Sequence, residues 1–410
     1  MPRTFQDRLR SYARLAARAA INIQPGQELF ISSDIAEIEF VRMVSQEAYE
    51  AGAKNVMMIL SDEPSTLIRF GHASEEALGY APTWYHDMLA EQFENGAAYL
   101  AVFGANPSLL RDVDPKKVAK SGQARAKAGE KFSKQITRSA SNWAIVGHAS
   151  PSWAKAVFPD ESESDAVTKL WEAIFACTCV DTEDPVESWN RHAAELEAKK
   201  TALNGRGIRA LRIKSPGTDL RVGLADGHKF EGGRATSSNG IVFSPNIPTE
   251  EVFTMPHREQ VDGIVRSTKP LSLRGTLSQN IEMEFKGGRA VRVSASAGND
   301  VLQGLLDTDE GARHLGEVAL VPNSSAVSRT GVLFLNTLYD ENAACHIAMG
   351  QAIGQNLTGS ESASDDEKKA RGMNTSMIHV DWMIGSGETN IDGELADGSL
   401  QPLMRGGEWA

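Results

Sequence analysis

Residues 28–60 read ELFISSDIAEIEFVRMVSQEAYEAGAKNVMMIL, and this stretch indicates the fold of the first half of the chain. An apolar strand pattern over Glu28–Ser33 precedes an amphipathic helical pattern over Ala36–Ala51, and a second strand pattern follows over Lys54–Leu60. A strand, a helix and a strand in this order form a βαβ unit with parallel strands. The stretch therefore predicts an α/β domain.

The same alternation continues as far as residue 203. Further patterns predict strands at Ala97–Phe103 and Asn142–Val146 and helices at Pro115–Thr137, Ser164–Ala176 and Pro185–Leu203. The arginine-rich amino terminus is compatible with a mitochondrial presequence, but we interpret it as an amphipathic helix whose apolar face holds Phe5, Leu9, Tyr12, Leu15 and Ala16. We predict an N-terminal parallel-sheet α/β domain over residues 1–200. It lacks both phosphate-binding glycine motifs, which indicates a structural sheet or a lid.

From Gly205 onward the pattern changes to short alternating runs separated by turn signals. Runs at Ile208–Ile213, Leu220–Leu224 and Ile281–Phe285 are joined by turns such as Ser-Pro-Gly-Thr and Lys-Gly-Gly-Arg, which are typical of hairpins. We therefore predict a second domain over residues 201–410, with a mixed, strand-rich α+β fold.

Composition limits the class of protein. The chain has 410 residues with 41% hydrophobic and 23% charged residues, which is ordinary for a soluble globular protein of two domains. The net charge of −12 disfavours nucleic acid and anionic membranes as partners. No apolar run reaches the roughly 18 residues that span a bilayer. Three cysteines without a disulfide pattern indicate a reducing cytoplasm.

The stretch Ser376-Met-Ile-His-Val-Asp-Trp-Met-Ile-Gly385 offers a candidate metal site. On a strand, His379 and Asp381 point to the same face because alternate side chains share a face. An imidazole and a carboxylate together can bind a metal ion, and they can equally form a buried hydrogen-bonded pair. The pair alone does not decide between these alternatives.

Three further segments supply nitrogen and oxygen ligands in apolar surroundings. Glu317 begins a short apolar strand, His346 follows a Tyr-Asp-Glu-Asn run that predicts a helix cap and therefore a helix, and the adjacent Glu250 and Glu251 lie between prolines. This ligand set lacks sulfur and suits zinc, cobalt, manganese or magnesium. A bridging carboxylate would allow five side chains to hold two ions.

These segments, read together, resemble a known family. The motifs Asn246-Ile-Pro-Thr-Glu-Glu-Val-Phe-Thr254, Leu315-Gly-Glu-Val-Ala-Leu-Val321, Cys345-His-Ile-Ala-Met-Gly350 and the 376–385 stretch are similar to those of the aminopeptidase T and aminopeptidase S family of dinuclear metallo-aminopeptidases. The resemblance extends into the first domain, as at Gln24-Pro-Gly-Gln-Glu-Leu29, and covers nearly the whole chain.

The resemblance implies a function and a set of site residues. The implied metal ligands are Glu251, Glu317, His346, His379 and Asp381, and the implied cofactors are two divalent ions, Zn²⁺ or Co²⁺ first and Mn²⁺ or Mg²⁺ as alternatives. The implied substrates are peptides with a free amino terminus. The resemblance also implies a homodimer in which the first domain of one subunit helps to close the active site of the other.

One position departs from the family pattern. Where the family commonly has a tyrosine, seven residues after the ligand histidine, this chain has Ile353, which neither ligates a metal nor donates a hydrogen bond. Another donor such as Tyr339 or a water could replace it. Otherwise catalysis would be weaker, because losing one oxyanion donor typically lowers the rate ~10²–10³-fold. A metal-binding relative with weak or lost activity is the alternative.

The expected mechanism uses a metal-activated water that attacks the first peptide bond. We assign Glu250 as a candidate proton shuttle and His257 as a candidate substrate contact, with a solvent-facing glutamate and a plain surface histidine as the alternatives. Asp340 and Glu341 are interpreted as helix-capping residues. A serine or cysteine hydrolase is the weaker alternative, because the chain lacks the G-x-S-x-G motif.

Overall fold

The computed structural model describes residues 3–273 and 276–410. The chain forms two compact units, and each unit contains two separate segments of the sequence. Unit 1 comprises Met1–Ala193 and Arg234–Pro248, and unit 2 comprises Ala194–Gly233 and Thr249–Ala410. Within the described residues, no helix combines the length and the apolar character needed to cross a lipid bilayer.

The strands are numbered along the chain. They are β1 Glu28–Asp34, β2 Asn55–Ser61, β3 Ala98–Phe103, β4 Trp143–Gly147, β5 Ile208–Ser215, β6 Thr218–Leu224, β7 Glu231–Gly232, β8 Ala235–Thr236, β9 Val242–Phe243, β10 Asn246–Ile247, β11 Val252–Thr254, β12 Pro256–Arg266, β13 Leu271–Leu273, β14 Thr276–Ser278, β15 Glu282–Lys286, β16 Arg289–Ser294, β17 Leu315–Leu320, β18 His346–Gly350, β19 His379–Met383, β20 Asn390–Leu395, β21 Leu400–Arg405 and β22 Glu408–Trp409.

The α-helices are numbered in the same way. They are α1 Phe5–Leu15, α2 Ile38–Glu50, α3 Glu63–His72, α4 Glu75–Leu78, α5 Thr83–Glu94, α6 Pro115–Thr137, α7 Pro151–Val157, α8 Glu163–Cys177, α9 Pro185–Asn204, α10 Asn299–Leu306, α11 Ala326–Thr330, α12 Thr337–Asp340 and α13 Asp365–Ala370. Short 3₁₀ turns lie at Ile35–Glu37, Gly311–Arg313, Glu341–Ala343 and Gly354–Asn356, and a π-helical turn lies at Ala16–Ala20.

Unit 1 is built around a parallel sheet with the strand order β10-β4-β3-β1-β2. All four pairings in this sheet are parallel, which confirms the predicted α/β fold. The predicted amphipathic helix at the amino terminus is also confirmed, because α1 buries Leu9, Tyr12 and Leu15, whereas Phe5 of the predicted apolar face is 43% exposed. The α6 helix has the predicted bounds, since Asp114 caps its first turn and Pro115 occupies the first helical position.

Unit 2 has the predicted strand-rich fold, and the pairings within its two largest sheets are antiparallel. Its largest sheet has eight strands in the order β16-β15-β12-β6-β5-β20-β21-β22. The β5–β6 and β15–β16 pairs are hairpins at the predicted turns. The core of the unit contains Leu211, Val222, Ile347 and Trp382, each at most 1% exposed. These packed strands provide a rigid support for a second sheet.

The second sheet of unit 2 has the order β19-β18-β17-β11-β7, and all its pairings are antiparallel. It carries four of the five predicted ligands, and the fifth, Glu251, directly precedes β11. The prediction of a helix for His346 was wrong, since His346 is the first residue of β18. The α12 helix ends at Asp340, and the chain is extended at Ala344 before the strand begins.

An ion-pair network on one face of the large sheet allows a test of stability. On β20, Glu394 accepts hydrogen bonds from Arg221 (Nη2 to Oε1, 2.7 Å) and Arg212 (Nε to Oε2, 2.6 Å). These guanidinium groups, with Arg221 first, lower the pKa of Glu394 from 4.5 to about 2. The ionised Glu394 carboxylate therefore stabilises the fold at pH values above its pKa in the unfolded chain. This stabilisation is lost as the pH falls towards its pKa in the folded protein.

We expect Glu394→Gln to lower the free energy of unfolding by about 1–2 kcal/mol at pH 7, because charge-assisted hydrogen bonds are lost. The difference in the free energy of unfolding between the variant and wild type should become smaller as the pH falls from about 5 to about 3, as linkage requires. Urea unfolding followed by tryptophan fluorescence measures both. The exposed Glu388→Gln variant is the control, and an unchanged difference across this pH range would contradict the assignment.

Candidate metal centre

Strand register places the predicted ligands on one face of the five-stranded sheet. Glu317 on β17 lies opposite Ala348 on β18, and Ala348 lies opposite Asp381 on β19. Residues directly opposite each other in antiparallel strands point to the same side. His346 and His379 lie two residues before Ala348 and Asp381, so they share this face. The methyl group of Ala348 leaves space between the two carboxylates.

The ligand atoms form two groups that share Glu317. In one group, His346 Nε2 lies 3.1 Å from Glu251 Oε2 and 3.5 Å from Glu317 Oε1. In the other, His379 Nε2 lies 3.3 Å from Asp381 Oδ1 and 3.8 Å from Glu317 Oε2. The two carboxylate oxygens of Glu317 therefore face different groups. Within each group, the ligand atoms all lie within 4.8 Å of one another.

Backbone carbonyls orient both imidazole rings. His346 Nδ1 lies 3.2 Å from the Ala344 carbonyl oxygen, and His379 Nδ1 lies 2.7 Å from the Gln351 carbonyl oxygen. A carbonyl oxygen only accepts hydrogen bonds, so Nδ1 is the donor in both rings. In the neutral imidazole, Nε2 then has a free lone pair that points into the cluster. This is the usual arrangement of metal-binding histidines.

Burial and neighbouring charges shift the pKa values of the ionisable groups in the cluster. Burial, together with the Glu251 and Asp381 carboxylates, raises the pKa of Glu317 to about 7. Burial opposes ionisation of Asp381, but the adjacent His379 outweighs it and holds the pKa of Asp381 below its usual value. Burial likewise opposes the charged form of His379, yet Asp381 and Glu317 raise its pKa to about 10. The raised pKa values of Glu317 and His379 mean that bound protons reduce the negative charge of the cluster. A bound cation would reduce the same negative charge.

The donor set fits divalent cations. Three atoms of the cluster, Glu251 Oε2, His346 Nε2 and Asp381 Oδ1, are buried and have no hydrogen-bond partner among the described residues. Buried polar atoms without partners are rare in folded proteins unless an ion or a water satisfies them. Carboxylate oxygen and imidazole nitrogen are common ligands of zinc, cobalt and manganese. These residues could hold a metal ion in each group.

Exposure indicates the open side of the cluster. The side chains of Glu251, Glu317, His346 and Asp381 are 10%, 5%, 1% and 7% exposed, whereas that of His379 is 31% exposed. Access from solvent is therefore on the side of His379.

Sequence reasoning missed Glu341, which belongs to the acidic surroundings of the cluster. It was predicted to cap a helix, but it lies in the 3₁₀ turn after α12. Burial first, and then the carboxylates of Asp381 and Glu251, raise its pKa well above the ordinary value. The sequence signal was its position five residues before His346 in apolar surroundings. Asp340 does act as a cap-like acceptor, taking hydrogen bonds from the backbone N–H groups of Phe334 and Asn336.

The remaining predicted site residues are not members of either group of ligand atoms. Glu250 is buried rather than facing solvent, and its Oε1 accepts a hydrogen bond of 2.9 Å from the Ala326 N–H at the start of α11. His257 is partly buried on β12, where its Nδ1 accepts a hydrogen bond from the Glu259 N–H. Ile353 follows the end of β18 and is partly buried. The Tyr339 ring is buried and stacks on Phe334 with the ring centroids 4.5 Å apart.

Comparison with known proteins agrees with this geometry. The family model described as thermophilic metalloprotease (M29) matches residues 5–409. The chain belongs to the thermophilic metalloprotease family M29. It is 47% identical over 405 residues to aminopeptidase T of Thermus aquaticus, covering 99% of each chain, and 44% identical over 406 residues to aminopeptidase 2 of Geobacillus stearothermophilus, covering 99% of this chain and 98% of that one.

A solved member of the M29 family has the same fold. Wild-type AmpT from Thermus thermophilus is similar to this chain with a TM-score of 0.94 and 46% identity, covering 99% of this chain and 100% of that one. Similarity at this level extends over both units of the chain. The M29 family is a metalloprotease family, which accords with the carboxylate and imidazole groups of unit 2.

The cluster predicts a stability that depends on metal. Because a ligand that binds only the folded state stabilises it, divalent cations at 100 times their Kd should raise the free energy of unfolding by about 2.7 kcal/mol. We expect Co²⁺ or Zn²⁺ to raise the melting temperature of wild type after chelation, and Glu317→Gln to lose most of this rise. Scanning calorimetry measures both. Glu310→Gln, which alters a Glu–His pair outside the cluster, should keep the wild-type rise.

Proposed function

We propose that this chain is a metal-dependent aminopeptidase that removes the first residue of peptides at a centre of two divalent ions. The observation that carries the proposal is that Glu317 belongs to both acid–imidazole groups, with one carboxylate oxygen towards each. Membership of a metalloprotease family and relatives named aminopeptidases support it. The M29 relatives cover almost the full length of the chain, so the proposal concerns the chain as a whole.

We assign a ligand role to each member of the cluster. Glu251 and His346 would hold one ion, His379 and Asp381 would hold the other, and Glu317 would bridge them. Bound divalent ions lower the pKa of a coordinated water towards ~7 and polarise a peptide carbonyl. We favour Zn²⁺ or Co²⁺ for this nitrogen and oxygen set, with Mn²⁺ or Mg²⁺ as alternatives.

The charge balance favours two ions over one. Glu251, Glu317, Glu341 and Asp381 bring four carboxylates to a buried region, while His346 and His379 add at most two positive charges. Unpaired charge is strongly unfavourable in a protein interior. If the imidazoles bind metal, they are neutral, and a single divalent ion would then leave much of this negative charge uncompensated.

Two carboxylates are candidates for taking the proton from the attacking water and passing it to the leaving amine. Glu341 borders the same space as Asp381, and burial, followed by the carboxylates of Asp381 and Glu251, raises its pKa well above the ordinary value. Glu250, the candidate from the sequence, is buried beside Glu251, and its Oε1 accepts a hydrogen bond from the Ala326 N–H. We propose Glu341 as the proton carrier and retain Glu250 as the second candidate.

The remaining parts of the proposal concern the surroundings of the site. We propose His257 as a substrate contact. We also propose that the chain forms a homodimer in which unit 1 serves as a lid and a dimerisation surface. We propose a cytoplasmic location, because the described residues contain no disulfide between Cys177, Cys179 and Cys345.

The first test is hydrolysis of aminoacyl-p-nitroanilides by the metal-loaded protein. We expect cleavage that disappears on chelation, returns with Zn²⁺, Co²⁺ or Mn²⁺, and fails on the same substrates with an acetylated amino group.

Metal content by mass spectrometry should be two ions per chain in wild type, one in Glu251→Ala and none in Glu317→Ala. If the metal-loaded wild type hydrolyses none of these substrates, the alternative of a metal-binding protein without peptidase activity is favoured. Ile353 in place of the family tyrosine would then explain the lost activity.

The second test separates the two proton carriers. We expect Glu341→Gln to lower kcat by about 10²–10⁴-fold, the range of general acid–base catalysis, with the metal content unchanged. Glu250→Gln keeps the acceptor for the Ala326 N–H and should lower kcat by less than about tenfold. Equal metal content in both variants and wild type is the control. The reverse order of effects would assign the role to Glu250.

A further inference from the structure

An exposed methionine lies beside the open side of the ligand cluster. Met377 is 76% exposed, which is more than any other large apolar side chain among the described residues. Isolated apolar side chains are common on protein surfaces and need no explanation by themselves. Met377 differs from these because it lies two residues before His379, the one ligand of the cluster that is partly open to solvent.

Met377 lies on the ligand side of its chain segment. Ile378 and Val380 pack against the main core of unit 2. Side chains alternate between the two faces of an extended chain, so His379 and Met377 project away from that core. The Gln351 N–H donates to the Ile378 carbonyl oxygen at 2.6 Å, which continues the β18–β19 pairing beyond the end of the strand. Met377 therefore follows His379 on the same side, towards solvent.

Hydrogen bonds on both sides hold the backbone of Met377 in place. Asp309 Oδ2 accepts the Met377 N–H at 2.6 Å, and Asp309 Oδ1 accepts the Ser376 hydroxyl at 2.8 Å. The Ser376 N–H donates to Gln351 Oε1 at 3.0 Å, and the Ile378 N–H donates to the Ser376 hydroxyl oxygen at 3.2 Å. A fixed backbone loses little conformational freedom when its side chain contacts a ligand. The segment thus presents Met377 in a preorganised position.

The shape of an aminopeptidase substrate decides which of its residues meets Met377. The free amino group belongs on the acidic, buried side of the centre, where the side chains of Glu251, Glu317 and Asp381 are at most 10% exposed. The rest of the peptide continues into solvent, and the open side is that of His379. Alternate residues of an extended chain are about 7 Å apart. A peptide whose first carbonyl lies at the cluster therefore brings its second residue within reach of Met377.

We propose that Met377 contacts the side chain of the second substrate residue, on the leaving side of the scissile bond, and favours apolar residues there. This inference rests on the proposed aminopeptidase function. The thioether side chain is apolar and flexible, so it adapts to apolar side chains of different shape. It has neither a charge nor a strong hydrogen-bonding group, so polar second residues gain nothing from the contact. Met377 is thus a specificity-determining residue and takes no part in the hydrolysis itself.

The kinetic test compares leucyl-leucinamide with leucyl-glycinamide in the metal-loaded protein, with cleavage of the first peptide bond followed by chromatography. Apolar contacts of one methylene alter discrimination about 10–200-fold, so wild type should favour leucine as the second residue by about tenfold in kcat/KM. Met377→Ala should lower this ratio by at least about fivefold, and Met377→Leu should keep it within about twofold of wild type, since leucine preserves the apolar contact. The control is Leu400→Ala, which truncates another exposed apolar side chain of unit 2 and should keep the wild-type ratio.

A second comparison separates the two sides of the scissile bond. The ratio of kcat/KM for alanyl-glycinamide to that for leucyl-glycinamide reports the choice of the first residue. If Met377→Ala alters this ratio and leaves the choice of the second residue as in wild type, the inference is overturned. It is also overturned if the variant is active and neither ratio changes.

A binding measurement distinguishes failure of this inference from failure of the proposed function. Leucyl-leucinamide and leucyl-glycinamide in which the carbonyl of the first peptide bond is reduced to a methylene group resist hydrolysis, and calorimetry measures their affinity for the metal-loaded protein. We expect the leucine analogue to bind at least about fivefold more tightly to wild type, and this difference to disappear in Met377→Ala. The same difference in a protein that hydrolyses no peptide amide would support the contact and reject the peptidase function. Equal binding of the two analogues to wild type would overturn the contact, whether or not the protein hydrolyses peptides.

Discussion

The row Glu317–Ala348–Asp381 across three antiparallel strands is the constraint on which the site depends. Strand register fixes the two carboxylates on the same face, and the small side chain between them leaves a gap that a larger residue would fill. Two histidines one strand step away complete the set. The result is a concentration of negative charge inside a packed unit, which folding alone would not favour. Divalent cations would compensate this charge, and this is why the cluster is interpreted as a metal centre rather than as a set of structural ion pairs.

The surroundings of the cluster are organised to hold it in place. Two backbone carbonyls take the Nδ1 protons of the histidines, so the rings present Nε2. The carboxylate of Asp340 clamps Leu335, which has a left-handed φ of +56°, beside the cluster, and Glu341, one residue after Asp340, brings a further acid to it. The two residues lie on either side of α12, with Leu335 before the helix and Glu341 after it.

Local signals explain which elements the sequence predicted well. The α6 helix has its predicted bounds because an aspartate cap and a proline at the first position are local features that need no tertiary context. The parallel strands of unit 1 were predicted from short apolar runs between helices. The helix assigned to His346 was wrong, because a short apolar run of this length has the same composition in a buried strand and a buried helix. Packing between β17 and β19 decided in favour of the strand.

The sequence by itself determined the class of both units, the residue types available as ligands, and the resemblance to a metallo-aminopeptidase family, since these depend on local pattern and motif spacing. The tertiary structure alone decided that Glu317 faces two groups, that Glu341 joins the acids, and that Leu335 borders the site. These facts depend on register between strands that lie up to about a hundred residues apart in the chain. Register is set by long-range packing and by which faces are buried, and no local window of sequence contains that information.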